Sequence, residues 1–166
     1  MSRVGATVAK GMAAGLAGGA VMTATSKAEQ ALTGRPDSYV PGRTLAHLVR
    51  LPDPDRDRLT RNLAMHFGTA AAAGVLRGAM AAANLRGPAA SFLHTWVRLA
   101  IDQTLENGTG VGAPPPSWPR DELVIDVAHK AVYAFATGAV ADALISPGPG
   151  TSVQRPAQRL RLPGFA

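Results

Sequence analysis

Apolar and polar positions along the chain fall into four long segments of helical period, and no strand pattern competes with them. The first runs from about Val4 to Leu32 and stops at "TGRPDS", where Gly34 and Pro36 end a helix. The second runs from about Asp57 to Asn84 and stops at "NLRGP". The third starts at Pro88, a favoured first-turn residue, and runs to Glu106. The fourth follows "APPPSWPRDE", sets Asp121 and Glu122 in its first turn, where the helix dipole favours acids, and runs to Ile145. Between the first two, "RTLAHLVRL" (43–51) predicts a short amphipathic helix with Leu45, Leu48 and Val49 on one face. The fold expected is all-α: a transmembrane four-helix bundle with Ala/Gly-rich helix interfaces. It fills one domain over residues 1–146, and a Pro/Gly/Arg-rich extended tail occupies 147–166.

Composition explains why lipid enters this expectation. The chain holds 32 alanines and 18 glycines, while aromatics are 5% and charged residues 17%, against roughly 25% charged in an average soluble domain. Small side chains bury little area each, so a water-driven core built from them is weak. Helices in lipid associate through such residues. Gly11, Gly15 and Gly19 recur at every fourth position, and Ala70, Gly74, Gly78 and Ala82 repeat the spacing. A glycine inside an exposed helix costs ~1 kcal/mol against alanine. The spacing predicts a glycine zipper, in which the first and second long helices pack backbone to backbone.

The charges inside the segments carry the functional reading. Arg77, Arg98, Asp102, Asp126, Lys130 and Asp142 all lie within helices. Each costs ~2.5–3.5 kcal/mol at mid-bilayer on insertion scales, so in lipid they must face one another. Helical spacing groups them into stripes: His66 with Arg77; Ser91, His94, Arg98 and Asp102; Asp126, His129, Lys130, Tyr133 and Thr137. The expected ligand- or proton-handling network is His66, Arg77, His94, Arg98, Asp102, Asp126, His129, Lys130 and Tyr133. In it Arg98 pairs with Asp102 or Asp126, and His94 and His129 titrate. Alanine and glycine then turn outward to hydrocarbon.

Other chemistries find little purchase. The chain has no cysteine, which removes thiol nucleophiles and cysteine metal sites. Asp126 and His129 supply a single carboxylate–imidazole motif where a di-iron bundle needs two. "NGTGVG" lacks the lysine and strand of a phosphate loop. No catalytic residue, metal ligand or cofactor is assigned, and no nucleic-acid partner. The basic residues, with a net charge of +6, are spread among acids rather than gathered on one helix. The expected partners are the lipid bilayer and further copies of the chain or a larger membrane complex, and the expected location is the cytoplasmic membrane. A soluble or peripheral assembly bundle is the alternative, and a His/Asp enzyme the third reading. The layout Arg3–Lys10 followed by sixteen uncharged residues also fits a signal peptide; here it is read as a structural helix. Lysines and arginines divide almost evenly between the two sides of such a bundle and fix no orientation.

The stretch from "RNLAMHFGTAAAAGVLRGAMA" through "LRGPAASFLHTWVRLAIDQTLENGTGVGAPPPSWPRDELVIDVAHKAVYAFATGAVADAL" resembles small, uncharacterised integral membrane proteins of actinobacteria. The resemblance covers roughly residues 35–145 and rests on segments such as "HFGT", "LRGPA", "WPRDE" and "HKAVYA". It implies residence in a membrane and implies no particular chemistry.

Overall fold

The structure is a computed structural model that describes residues 2–148. Almost all of the tail expected to be extended lies outside the described residues. Among those residues there are five α-helices and no strand: α1 (Arg3–Thr33), α2 (Val40–Leu48), α3 (Arg58–Ala82), α4 (Gly87–Gly108) and α5 (Arg120–Leu144). A 3-10 turn, Pro115–Ser117, precedes α5.

Local signals set most of the boundaries. The Ser2 hydroxyl caps α1 by accepting from the Gly5 amide at 3.1 Å. Gly34 ends α1 in the left-handed region (φ 73°) and donates its amide to the Gln30 carbonyl. The connector helix α2 starts at Val40, three residues before the sequence reading places it, because Pro41 fits the first turn. The turn between α3 and α4 needs positive φ at Asn84 (66°) and Gly87 (73°), residues that tolerate it.

The four long helices alternate in direction. α1 packs on α3 and α5, α4 packs on α5, and α2 covers the N-terminal end of α3. The α1–α3 seam is the closest. A Cβ on Gly74 would stand 2.4 Å from the Gly11 carbonyl oxygen and 2.6 Å from the Gly15 Cα. A Cβ on Gly15 would stand 2.1 Å from the Ala70 carbonyl oxygen. No side chain fits there, so the two backbones are in contact. On the α5 side, a Cβ on Gly18 would meet the Thr137 Oγ1 at 2.0 Å.

One sequence expectation holds only in part. Some small residues do turn outward, among them Ala13, Ala20, Ala72, Ala79 and Ala139, but Ala14, Ala70, Ala73, Ala81, Ala134 and Ala141 are buried at the crossings. The outward positions also carry large apolar side chains, among them Leu16, Leu76, Phe92, Leu93, Trp96 and Phe135. Close backbone approach is available only where side chains are small, so the small ones collect at the seams.

Candidate functional site

Part of the interior is polar. Arg77 and His94 are completely buried, and Arg98, Asp102 and Lys130 are at most 8% exposed. Two clusters of ion pairs form, one toward each end of the long helices.

The first joins α3, α4 and α5. Arg98 Nε donates to Asp102 Oδ2 at 3.0 Å, one turn along α4. Lys130 reaches the same oxygen at 3.4 Å and also pairs with Asp126, one turn earlier on α5. Arg98 Nη2 donates to the Thr69 hydroxyl at 2.9 Å. The guanidinium lies over the Tyr133 ring, 4.9 Å from its centroid, where the ring quadrupole attracts it. The Tyr133 hydroxyl donates to the Ala70 carbonyl at 2.7 Å, pinning the cluster to the glycine-lined seam.

The second cluster lies at the other end. Arg77 Nη2 donates to Asp142 Oδ2 at 2.8 Å, and the Gly87 amide donates to the same carboxylate at 2.9 Å. Arg86 donates to the Asp142 and Ile145 carbonyls, tying the α3–α4 turn to the end of α5. Gly138 makes room for Arg77: a Cβ there would stand 2.2 Å from the Ser91 hydroxyl and 3.2 Å from the guanidinium. The carboxylates of the two clusters, Asp126 and Asp142, are ~24 Å apart along α5 at ~1.5 Å per residue. His94 lies between the clusters with its ring 5.7 Å from that of Tyr133.

The nine residues expected to form one network therefore divide. Arg98, Asp102, Asp126, Lys130 and Tyr133 come together, and Arg98 takes Asp102 as its ion-pair partner. Arg77 joins the separate Asp142 pair. His66 bonds instead to α1, 3.0 Å from the Thr23 hydroxyl and 3.3 Å from the Gly19 carbonyl. His129 is half-buried and feels the charges of Glu29 on α1 and of Arg35 just beyond it, and also those of Lys130 and Asp126 in the first cluster. Thr69, Asp142, Gly138 and Arg86 complete the clusters and were not assigned from sequence. Asp142 is visible there as an interior acid, but its partner is 65 positions away.

Beside the first cluster is a partly enclosed cavity of about 70 Å³. All five helices line it. Met22, Met65 and Leu105 give it apolar walls, while Thr44, Arg98 and Glu106 give it polar ones. α2 supplies Thr44, which is fully buried. α2 is held against α3 by the Gly42 amide, which donates to the Asn62 side chain at 3.0 Å. Glu106 is legible in retrospect: it continues the Arg98–Asp102 stripe by one further turn. Thr44 carries no such signal. Among the described residues no group of three or more His, Asp or Glu side chains could hold a metal ion.

The connectors differ from this interior. Lys27–Asp37 and Arg43–Asp55 are exposed ion pairs. The Lys27 ammonium holds the Asp37 carboxyl below its ordinary value. Exposed pairs of this kind contribute little to stability. α1 and α5 are long and apolar enough to cross a membrane. Comparison of the chain with family models, with curated proteins and with solved structures finds no match.

Proposed function

We propose that the chain is a small integral membrane protein of the cytoplasmic membrane, like the actinobacterial proteins it resembles, and that its charged interior binds a small polar ligand. The carrying observation is the inverted distribution of side chains. Arg77, His94 and Arg98 are sealed inside, while Phe92 is 59% exposed, Leu93 53% and Trp96 47%. In water that arrangement forfeits the hydrophobic gain of burying the large side chains and desolvates charges as well. In hydrocarbon both preferences reverse, because polar groups seek one another and apolar groups gain nothing by withdrawing.

Three further observations support this reading. Only 28% of the apolar window of α1, and of α5, is buried within the protein, unlike the core helix of a soluble domain. At ~1.5 Å per residue, α3 and α4 extend about 37 Å and 33 Å, a length that matches the ~30 Å hydrocarbon layer, although only α1 and α5 are also apolar enough to cross it. Their charges Arg77, Arg98 and Asp102 point inward. Tyr39 and Trp118 stand in connectors at one end of the bundle, where amphipathic rings favour the headgroup level.

The test uses the absence of native cysteine. Single cysteines at Leu16, Leu76, Trp96 and Phe135 are expected to resist a water-soluble maleimide in intact membranes, whereas one at Ser38 labels fully. The unaltered protein is expected to stay in the pellet after an alkaline carbonate wash. Release into the supernatant, with all five positions labelled alike, overturns the membrane reading and leaves the soluble assembly bundle.

A further inference from the structure

The cavity beside Arg98 retains binding groups that the protein itself does not use. Arg98 and Lys130 are neutralised by Asp102 and Asp126. Arg98 Nη1 nevertheless has no hydrogen-bond partner among the described residues, nor does the Thr44 hydroxyl. Both groups are buried, and both residues line the cavity. A buried unsatisfied polar group is costly to keep, and these two stand beside the same cavity, so the pair points to an occupant. Glu106 lines the same cavity and makes no ion pair among the described residues.

We propose that this cavity binds a small zwitterion, its carboxylate on Arg98 Nη1 and the Thr44 hydroxyl and its ammonium toward Glu106. This deepens the reading of the interior as a ligand site. Charge decides between occupants. An anion alone satisfies Arg98 and Thr44 but sets its charge near the carboxylates of Asp102 and Glu106. A cation alone satisfies Glu106 but leaves both donors unpaired and faces two basic side chains. A molecule with both ends answers both needs and adds no net charge. The cavity, several times the space that one ordered water requires, limits the occupant to a few heavy atoms, of which glycine is the simplest.

The test is a titration of the detergent-solubilised full-length protein, read by calorimetry and by the shift of thermal unfolding. The probes are glycine, acetate, methylammonium and glycine betaine. Glycine is expected to bind and to raise the unfolding temperature. Acetate and methylammonium are expected to bind at least tenfold more weakly, and betaine, which has no N–H to donate, likewise. Thr44→Val, which preserves shape, is expected to weaken glycine at least tenfold without lowering unliganded stability. Glu106→Gln is expected to weaken glycine but to leave acetate unchanged or tighter. Equal binding of acetate and glycine overturns the proposal in favour of an anion site, and no response to any probe overturns it in favour of water alone. These outcomes are independent of the maleimide pattern: carbonate-resistant protein that ignores glycine defeats the zwitterion and not the membrane reading.

Discussion

The α1–α3 seam and the α4–α5 seam hold helices together by opposite means. In the first, Gly11, Gly15 and Gly74 bring two backbones into contact, with no charged group at the crossing. In the second, Arg98, Asp102, Lys130 and Asp126 bridge the helices through ion pairs. Shape limits the first seam, because one added methyl group has nowhere to go. Pairing limits the second, because each charge is tolerable only while its partner stays. Tyr133 joins the two, with its ring under Arg98 and its hydroxyl on the Ala70 carbonyl.

Breaking the charge pairing should have the largest effect. Asp102→Ala leaves Arg98 and Lys130 sharing fewer carboxylates in a buried site, and removal of one buried partner costs about 3–5 kcal/mol. Thermal unfolding in detergent is expected to show that loss. A double replacement, Arg98→Met with Asp102→Leu, is expected to recover most of it, since apolar pairs of similar volume substitute well for buried ion pairs.

The glycine seam should respond next. Gly15→Ala forces the Ala70 backbone to move and is expected to destabilise by about 1–3 kcal/mol, the usual range for overpacking. Gly68→Ala is the matched control on α3. Nothing lies within 4 Å of the new methyl group, so helix propensity alone acts, and a gain of up to ~1 kcal/mol is expected. Equal losses at both positions would show that the seam is looser than its geometry.

The link between the seams should matter least. Tyr133→Phe removes one buried hydrogen bond and keeps the ring beneath Arg98. It is expected to cost about 0.5–1.5 kcal/mol. The cost should be similar in the Gly15→Ala background if the two seams are energetically independent, and a double-mutant cycle measures any coupling.

The sequence by itself determined the helices and which charged positions within them share a face. Both are local properties: a period of 3.6, glycine and proline stops, and charged stripes at i, i+4 can be read without knowing any neighbour. For the same reason Asp102 was legible as one of two candidate partners of Arg98, the other being Asp126; the structure chose Asp102, one turn along the same helix. Only the tertiary structure decided the rest. It sent Arg77 to Asp142 across 65 positions, turned His66 to α1, and carried Thr44 on α2 to the cavity. It also chose which apolar residues face outward. Periodicity identifies the face a residue shares, but not what packs against it. Here close approach reserved the seams for alanine and glycine and left leucine, phenylalanine and tryptophan outside.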